Sequence, residues 1–525
     1  MKKLLLLSLM AVAASATQAS VENRTVVEGR TWNYLITGVH GKTTADNHRY
    51  MSKGFHFKGT AIIEGTEYSI FRDEADKEIA YMREEDHKVY LYCGDRLTLD
   101  YKVEAEGKTE VMLYDFSAVE GDTFPCVGFD DTASHFGIEY EAKVEGTGTI
   151  DYEGNKFGYQ DIYVTDPTCN EDRPYRFIEG LGCTDGLLPF PQFANWTSGM
   201  TQESEALFSV TDADGKLIYK NTALAASLTG YIPTDLDWQY YVSYGSMMVS
   251  NWEAISSFTI KNSDNPTYPY AWVNKNYKKW QQNTKTGEYE YVGETEVNET
   301  AAYLREEDGK VYLSLDPYQV PQGQPYPWFM FGYGAELSTY TYGDYEPMPY
   351  TPQPGEEVIL YDFTVKVGDR YRTITTGSII CDVTVIKVTE SDETIPGEGK
   401  VIEALPDYTK FWFEHWREGE DIPSEFIIKY SSTIGNLHYG NYVCLMAQPL
   451  DRLSDGSDAD YVINNIYNKK GDLVYKGKDF QGYSAVKNIY LKPTEGKLYD
   501  LYGREVSVTV PGSIYIRDGK KFVAK

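Results

Sequence analysis

Tyr303-Leu304-Arg305-Glu306-Glu307-Asp308-Gly309-Lys310-Val311-Tyr312-Leu313 carries two independent signals of β structure. Val311, Leu313 and Leu315 alternate with Tyr312 and Ser314, the period of a strand with one buried face. Asp308-Gly309 supplies residues that accept the positive φ of a two-residue turn, so the stretch predicts a hairpin. The same stretch stands earlier as Tyr81-Met82-Arg83-Glu84-Glu85-Asp86-His87-Lys88-Val89-Tyr90-Leu91, differing only at Met82/Leu304 and His87/Gly309. The chain therefore contains a duplication.

Three further landmarks recur in the same order. Trp32-Asn33-Tyr34 answers to Trp238-Gln239-Tyr240 before the hairpin. Leu113-Tyr114-Asp115-Phe116 with Gly121-Asp122 returns after it as Leu360-Tyr361-Asp362-Phe363 with Gly368-Asp369. Gly215-Lys216-Leu217-Ile218-Tyr219-Lys220 and Gly471-Asp472-Leu473-Val474-Tyr475-Lys476 close the two copies. Self-similarity at this scale sets the architecture before any local assignment does. Tyr-rich and Val-rich segments without long helical periodicity predict an all-β protein of two tandem, divergent β-sandwich or barrel-like units. The expected division is a signal peptide over 1–19, a first unit over 20–225, a second over 235–480, and a short β-hairpin tail over 490–525. Gly230 and Pro233 mark the linker between the units.

Met1-Lys2-Lys3, an apolar run from Leu4 to Ala16 and Thr17-Gln18-Ala19 follow the order of a secretory signal, with cleavage expected after Ala19. That run is too short for a permanent membrane span, and no longer apolar stretch follows. Asp and Glu number 79 against 49 Lys and Arg, for a formal charge of −30, which disfavours nucleic acid as a partner. Six cysteines in an oxidising compartment predict one or two disulfides, and their spacing suggests no zinc site.

The landmarks resemble a group of secreted proteins from Bacteroidales that carry an R-E-E hairpin ending in K-V-Y, an L-Y-D-F…G-D strand and an E-G-[IL]-G loop. Here the loop is Glu179-Gly180-Leu181-Gly182, whereas the second copy has Ser432-Thr433-Ile434-Gly435, so any task of the glutamate is not shared. The resemblance implies export but no reaction or ligand. The tail, Tyr499-Asp500-Leu501-Tyr502-Gly503-Arg504 followed by Gly512-Ser513-Ile514-Tyr515-Ile516-Arg517-Asp518-Gly519-Lys520-Lys521, resembles the end of a type IX secretion sorting domain. That resemblance implies engagement of the secretion machinery and an extracellular or outer-surface location. Without it the exported chain stays in the periplasm.

The residues name no reaction. G-x-S-x-G and H-E-x-x-H are absent, the seven histidines lack ligand-like spacing, and no cofactor is expected. Glu84-Glu85 and Glu306-Glu307 recur in both copies, and are expected to be solvated turn carboxylates or partners of Arg83 and Arg305. The two copies differ most after the hairpin. From Leu91 to Leu113 is 22 positions and from Leu313 to Leu360 is 47, so the second copy holds 25 more. Tyr326, Trp328, Phe329, Tyr333, Tyr340 and Tyr342 lie in this expansion, and flat amphipathic rings on a loop suit recognition of a glycan or of a host or bacterial surface protein. The expected function is a secreted or surface-exposed, non-enzymatic binding or adhesion module. A secreted hydrolase acting on polysaccharide or peptide and a structural envelope component are the alternatives.

Overall fold

The computed structural model describes residues 23–40, 47–52, 54–93, 102–103, 108–129, 136–164, 175–184, 201–245, 252–316, 337–375, 379–395, 397, 399–423, 426–437, 458–476, 498–500, 506, 514–517 and 520–523. The expected signal peptide lies outside these residues. The fold is mostly β, 59% strand with two helices among the described residues, in several antiparallel sheets that include a curled half-barrel.

Both halves of the chain repeat one topology. In the first, a large sheet runs in the order Leu217–Lys220, Thr201–Thr211, Thr31–His40, Phe55–Ile63, Thr66–Arg72, Glu78–Glu85, Lys88–Tyr92, Glu110–Asp115. In the second, the order is Leu473–Lys476, Asp458–Asn468, Leu236–Gly245, Trp252–Asn262, Tyr270–Gln282, Tyr289–Glu307, Lys310–Ser314, Glu357–Asp362. A smaller sheet completes each half. Phe136–Tyr152, Asn155–Val164, Tyr175–Ile178 and Gly182–Cys183 build the first, and Ile379–Thr389, Val401–Pro406, Ile428–Ser431 and Gly435–Asn436 the second. Lys102–Val103 and Ser338–Thr339, both from the connection whose length differs between copies, add a short parallel strand to their small sheets.

The hairpins form as their residue types require. Glu85 lies opposite Lys88 and Glu307 opposite Lys310, leaving Asp86-His87 and Asp308-Gly309 as two-residue turns with positive φ at both positions. Lys88–Tyr92 and Lys310–Ser314 alternate buried and half-buried residues in the same pattern. The inward residues join Trp32 and Trp238, which are fully buried, in one core per copy. Trp32 meets Phe57 edge-on at 5.6 Å, and Trp238 meets Trp272 edge-on at 5.0 Å. Each indole N–H crosses from the large sheet to the loop of the small one, donating to Leu181 O at 3.0 Å or to Ile434 O at 3.3 Å. The diverged E-G-L-G and S-T-I-G segments thus keep one shared duty, carried by backbone.

A polar joint connects the halves. After Lys220 a short helix, α1 (Thr222–Ala226), is capped by Asn221, whose side chain accepts from Leu224 N. Leu228 then packs on Leu35 and Phe208 of the first copy, while its carbonyl accepts from Gly309 N of the second at 2.8 Å. A Cβ at Gly309 would lie 2.6 Å from Thr364 Cγ2, so the close approach of Thr364 favours glycine where the first copy has His87. Met51 N donates to Thr364 O at 2.7 Å, Lys220 pairs with Asp308 at 2.6 Å, and buried Lys400 reaches Arg49 O while pairing with Glu390 at 3.1 Å.

The disulfide expectation fails for four of the six cysteines. Cys93, Cys126, Cys183 and Cys381 form no disulfide, and the last three are buried in the cores as small side chains. Cys169 and Cys444 lie outside the described residues. In the tail, Leu498–Asp500, Ile514–Arg517 and Lys520–Val523 form a separate three-stranded antiparallel sheet.

Candidate functional site

The carboxylates repeated in both copies are structural. Adjacent residues on a strand face opposite ways, and the R-E-E triplet uses both faces. On one face Arg83 donates through Nε to Glu110 at 2.8 Å and pairs with Glu85 at 2.6 Å, and its guanidinium lies 4.2 Å from the Tyr90 ring centre. Tyr68 Oη donates to the same Glu110. In the second copy Arg305, Glu357, Glu307, Tyr312 and Tyr268 reproduce every contact, with Arg305 Nε to Glu357 at 2.8 Å and Tyr312 at 3.8 Å.

The opposite face corrects the expectation of solvated turn carboxylates. Glu84 is 4% exposed and accepts from Val26 N at 2.9 Å, while Glu306 accepts from Tyr231 N at 3.1 Å. Each glutamate fastens the segment leading into its copy to the hairpin. Burial pushes both carboxyls above their usual range, and the backbone N–H groups, with Arg24 near Glu84, oppose it in part. Such a group binds its proton more tightly when folded. Its support for folding is complete below the ordinary value of 4.5 and is lost as pH rises through the folded value. Glu306→Gln keeps the carbonyl acceptor without the charge, so its unfolding free energy at pH 7 is expected to equal or exceed that of the parent, with a flatter pH dependence above 4.5. Glu306→Ala orphans the N–H and should cost about 1–3 kcal/mol in urea unfolding. A Gln variant as unstable as the Ala variant would contradict this account.

Other polar groups are also scaffold. Asp212 Oδ1 accepts from Asp214 N and Lys216 N, and Asn468 Oδ1 does the same for Lys470 N and Asp472 N, so the acidic stretch before Gly215 is a turn device shared by both copies. His87 Nδ1 meets Glu179 at 2.7 Å, which raises the imidazole pKa, and this pair joins the two positions that diverged together, to Gly309 and Ser432. A pocket of about 410 Å3 beside α1 contains Asp161 and Arg176. Those two bond each other at 2.8 and 3.0 Å, and Glu403 with Lys429 occupies the same cross-strand place in the second copy. Among the described residues no cluster of three or more metal-ligating side chains occurs.

The copies differ in a surface that the sequence only half disclosed. Ten residues separate Val164 from Tyr175, whereas 21 separate Pro406 from Ile428, so the second copy has another insertion. It contains α2 (Asp407–Trp416), whose first residue is anchored by Arg370. Phe411 and Phe413 turn inward, while Trp412 and Trp416, four residues apart, stay outside on one face. The ring expansion meets this helix. Tyr342 Oη donates to Glu414 at 2.5 Å, and Tyr345 lies edge-on to Phe411 at 6.2 Å and to Trp416 at 6.4 Å. Tyr345 is 82% exposed, Trp416 63% and Tyr342 47%.

Of the six candidate binding residues, Tyr326, Trp328, Phe329 and Tyr333 lie outside the described residues. Tyr342 belongs to the exposed surface. Tyr340 is 2% exposed and packs against Tyr408, so its ring faces the core. Tyr345 lies in the same expansion without being one of the six, and Trp412 and Trp416 were missed. The available signal was the D-Y-T-K-F-W-F-E-H-W run, whose two tryptophans share a helical face in a chain otherwise made of strands. No family model matches the chain, and no curated protein matches it.

Proposed function

We propose that this chain is an exported, non-enzymatic binding module whose contact surface is the aromatic surface formed by Tyr342, Tyr345, Trp412 and Trp416 in the second copy. One observation carries the reading: two insertions found only in that copy converge and leave large rings exposed on a β scaffold. Recognition usually resides in such additions, because the scaffold holds them without being altered by them. The repeated charged groups are committed to one another and to backbone, which supports a division between conserved framework and diverged contact surface.

The test is a screen of the mature protein against glycans and surface proteins, repeated with Tyr345→Ala/Trp416→Ala. Both side chains are exposed, so folding should persist, and affinity for the true ligand should fall roughly 30-fold or more, as for interface anchors. Unchanged affinity for every ligand found would overturn the reading. So would turnover of a polysaccharide or peptide that is abolished by one carboxylate substitution.

A further inference from the structure

We infer that the aromatic surface receives lysine or arginine side chains of a basic polypeptide. This rests on the binding-module reading and names its partner. The exposed rings already show their preference within the molecule. Lys410 Nζ lies 6.0 Å from the centre of the Tyr342 ring, and the Arg417 guanidinium lies 4.9 Å from that of Trp412. Tyr345 and Trp416 are the two most exposed rings of the group, and among the described residues neither has a cation over its face. Their planes stand 70° apart, so they form two walls of an open corner. An aromatic face attracts a cation through its quadrupole, and two walls do so together.

Local charge selects in the same direction. The exposed carboxylates Asp344, Glu346, Glu414, Glu418, Glu420 and Asp421 share these segments with the cations Lys410 and Arg417. Glu420 is paired with Arg417, and Glu414 with Lys410 and Tyr342, whereas Glu346 and Glu418 meet no cation among the described residues. The chain as a whole carries −30, so its field draws in a basic partner and repels an anionic polysaccharide. A neutral sugar would use the ring faces and leave these carboxylates without a role.

The experiment measures binding of three probes to the mature full-length chain at low and moderate salt. The probes are a 20-residue Lys/Arg-rich peptide, its Gln-substituted analogue and a neutral glucan oligosaccharide. The basic peptide should bind, the analogue should bind far more weakly, and affinity should fall as salt rises. Tyr345→Leu and Trp416→Leu leave the charge unchanged and should each weaken the peptide about 3- to 10-fold, while Tyr345→Phe and Trp416→Phe retain most of the affinity. Peptide binding that ignores the Leu variants would overturn the inference, because the net charge alone would then account for it. Failure of the peptide to bind would also overturn it. Glucan binding lost in the Leu variants would leave the contact surface standing and remove only the cationic partner, whereas the screen above decides the surface itself.

Discussion

Trp238→Ala is expected to lower the unfolding free energy by about 3–5 kcal/mol, and Trp32→Ala by a similar amount. Both indoles are completely buried, Trp32 against Phe57 and Phe71 and Trp238 against Trp272, so truncation opens a cavity that the surrounding strands cannot close. Truncation also removes the N–H that joins the large sheet to the Leu181 or Ile434 carbonyl. Trp238→Phe separates the two contributions, because the ring stays and the donor goes; it should cost about 1–3 kcal/mol through the orphaned carbonyl and the smaller ring. Urea unfolding followed by circular dichroism measures each difference. A loss under about 1 kcal/mol for Trp238→Ala would show that the tryptophan does not tie the sheets together.

Lys400→Ala should destabilise the chain by about 3–5 kcal/mol, because it leaves the shielded Glu390 carboxylate and the Arg49 carbonyl without their partner. Burial holds the Lys400 ammonium below its usual pKa, and Glu390 opposes that shift, as expected for an ammonium retained inside only because it is paired. Lys400→Met/Glu390→Gln removes both charges with similar volume and should recover most of the loss. Calorimetry of the three variants checks this. Since Lys400 belongs to the second copy and Arg49 to the first, the Ala variant should also split a single unfolding transition into two. A neutral Lys400→Ala would mean the joint depends on Met51, Leu228 and Lys220 alone.

The two kinds of structural information divide along the two faces of Arg83-Glu84-Glu85. Alternation and the Asp-Gly turn made the hairpin legible, because a strand's period and a turn's positive φ are local properties of residue type. The fate of Glu84 was illegible, because its acceptor role depends on Val26, 58 positions away. Tyr340 and Tyr345 make the same point within one loop. Composition treats them alike, yet one packs against Tyr408 and the other stands in solvent beside Trp416. The free thiols follow suit, since an even cysteine count says nothing about which side chains face one another.

By itself, then, the sequence determined the duplication, the β class and the place where the copies diverge, all of which follow from short-range patterns repeated along the chain. Only the tertiary structure decided that the repeated charges are internal fastenings, that Gly309 makes room for the Thr364 side chain, and that two insertions meeting through residues about 70 positions apart form one aromatic surface. The physical reason is that burial and pairing are set by neighbours distant in sequence, and a hairpin's own residues do not specify what packs against them.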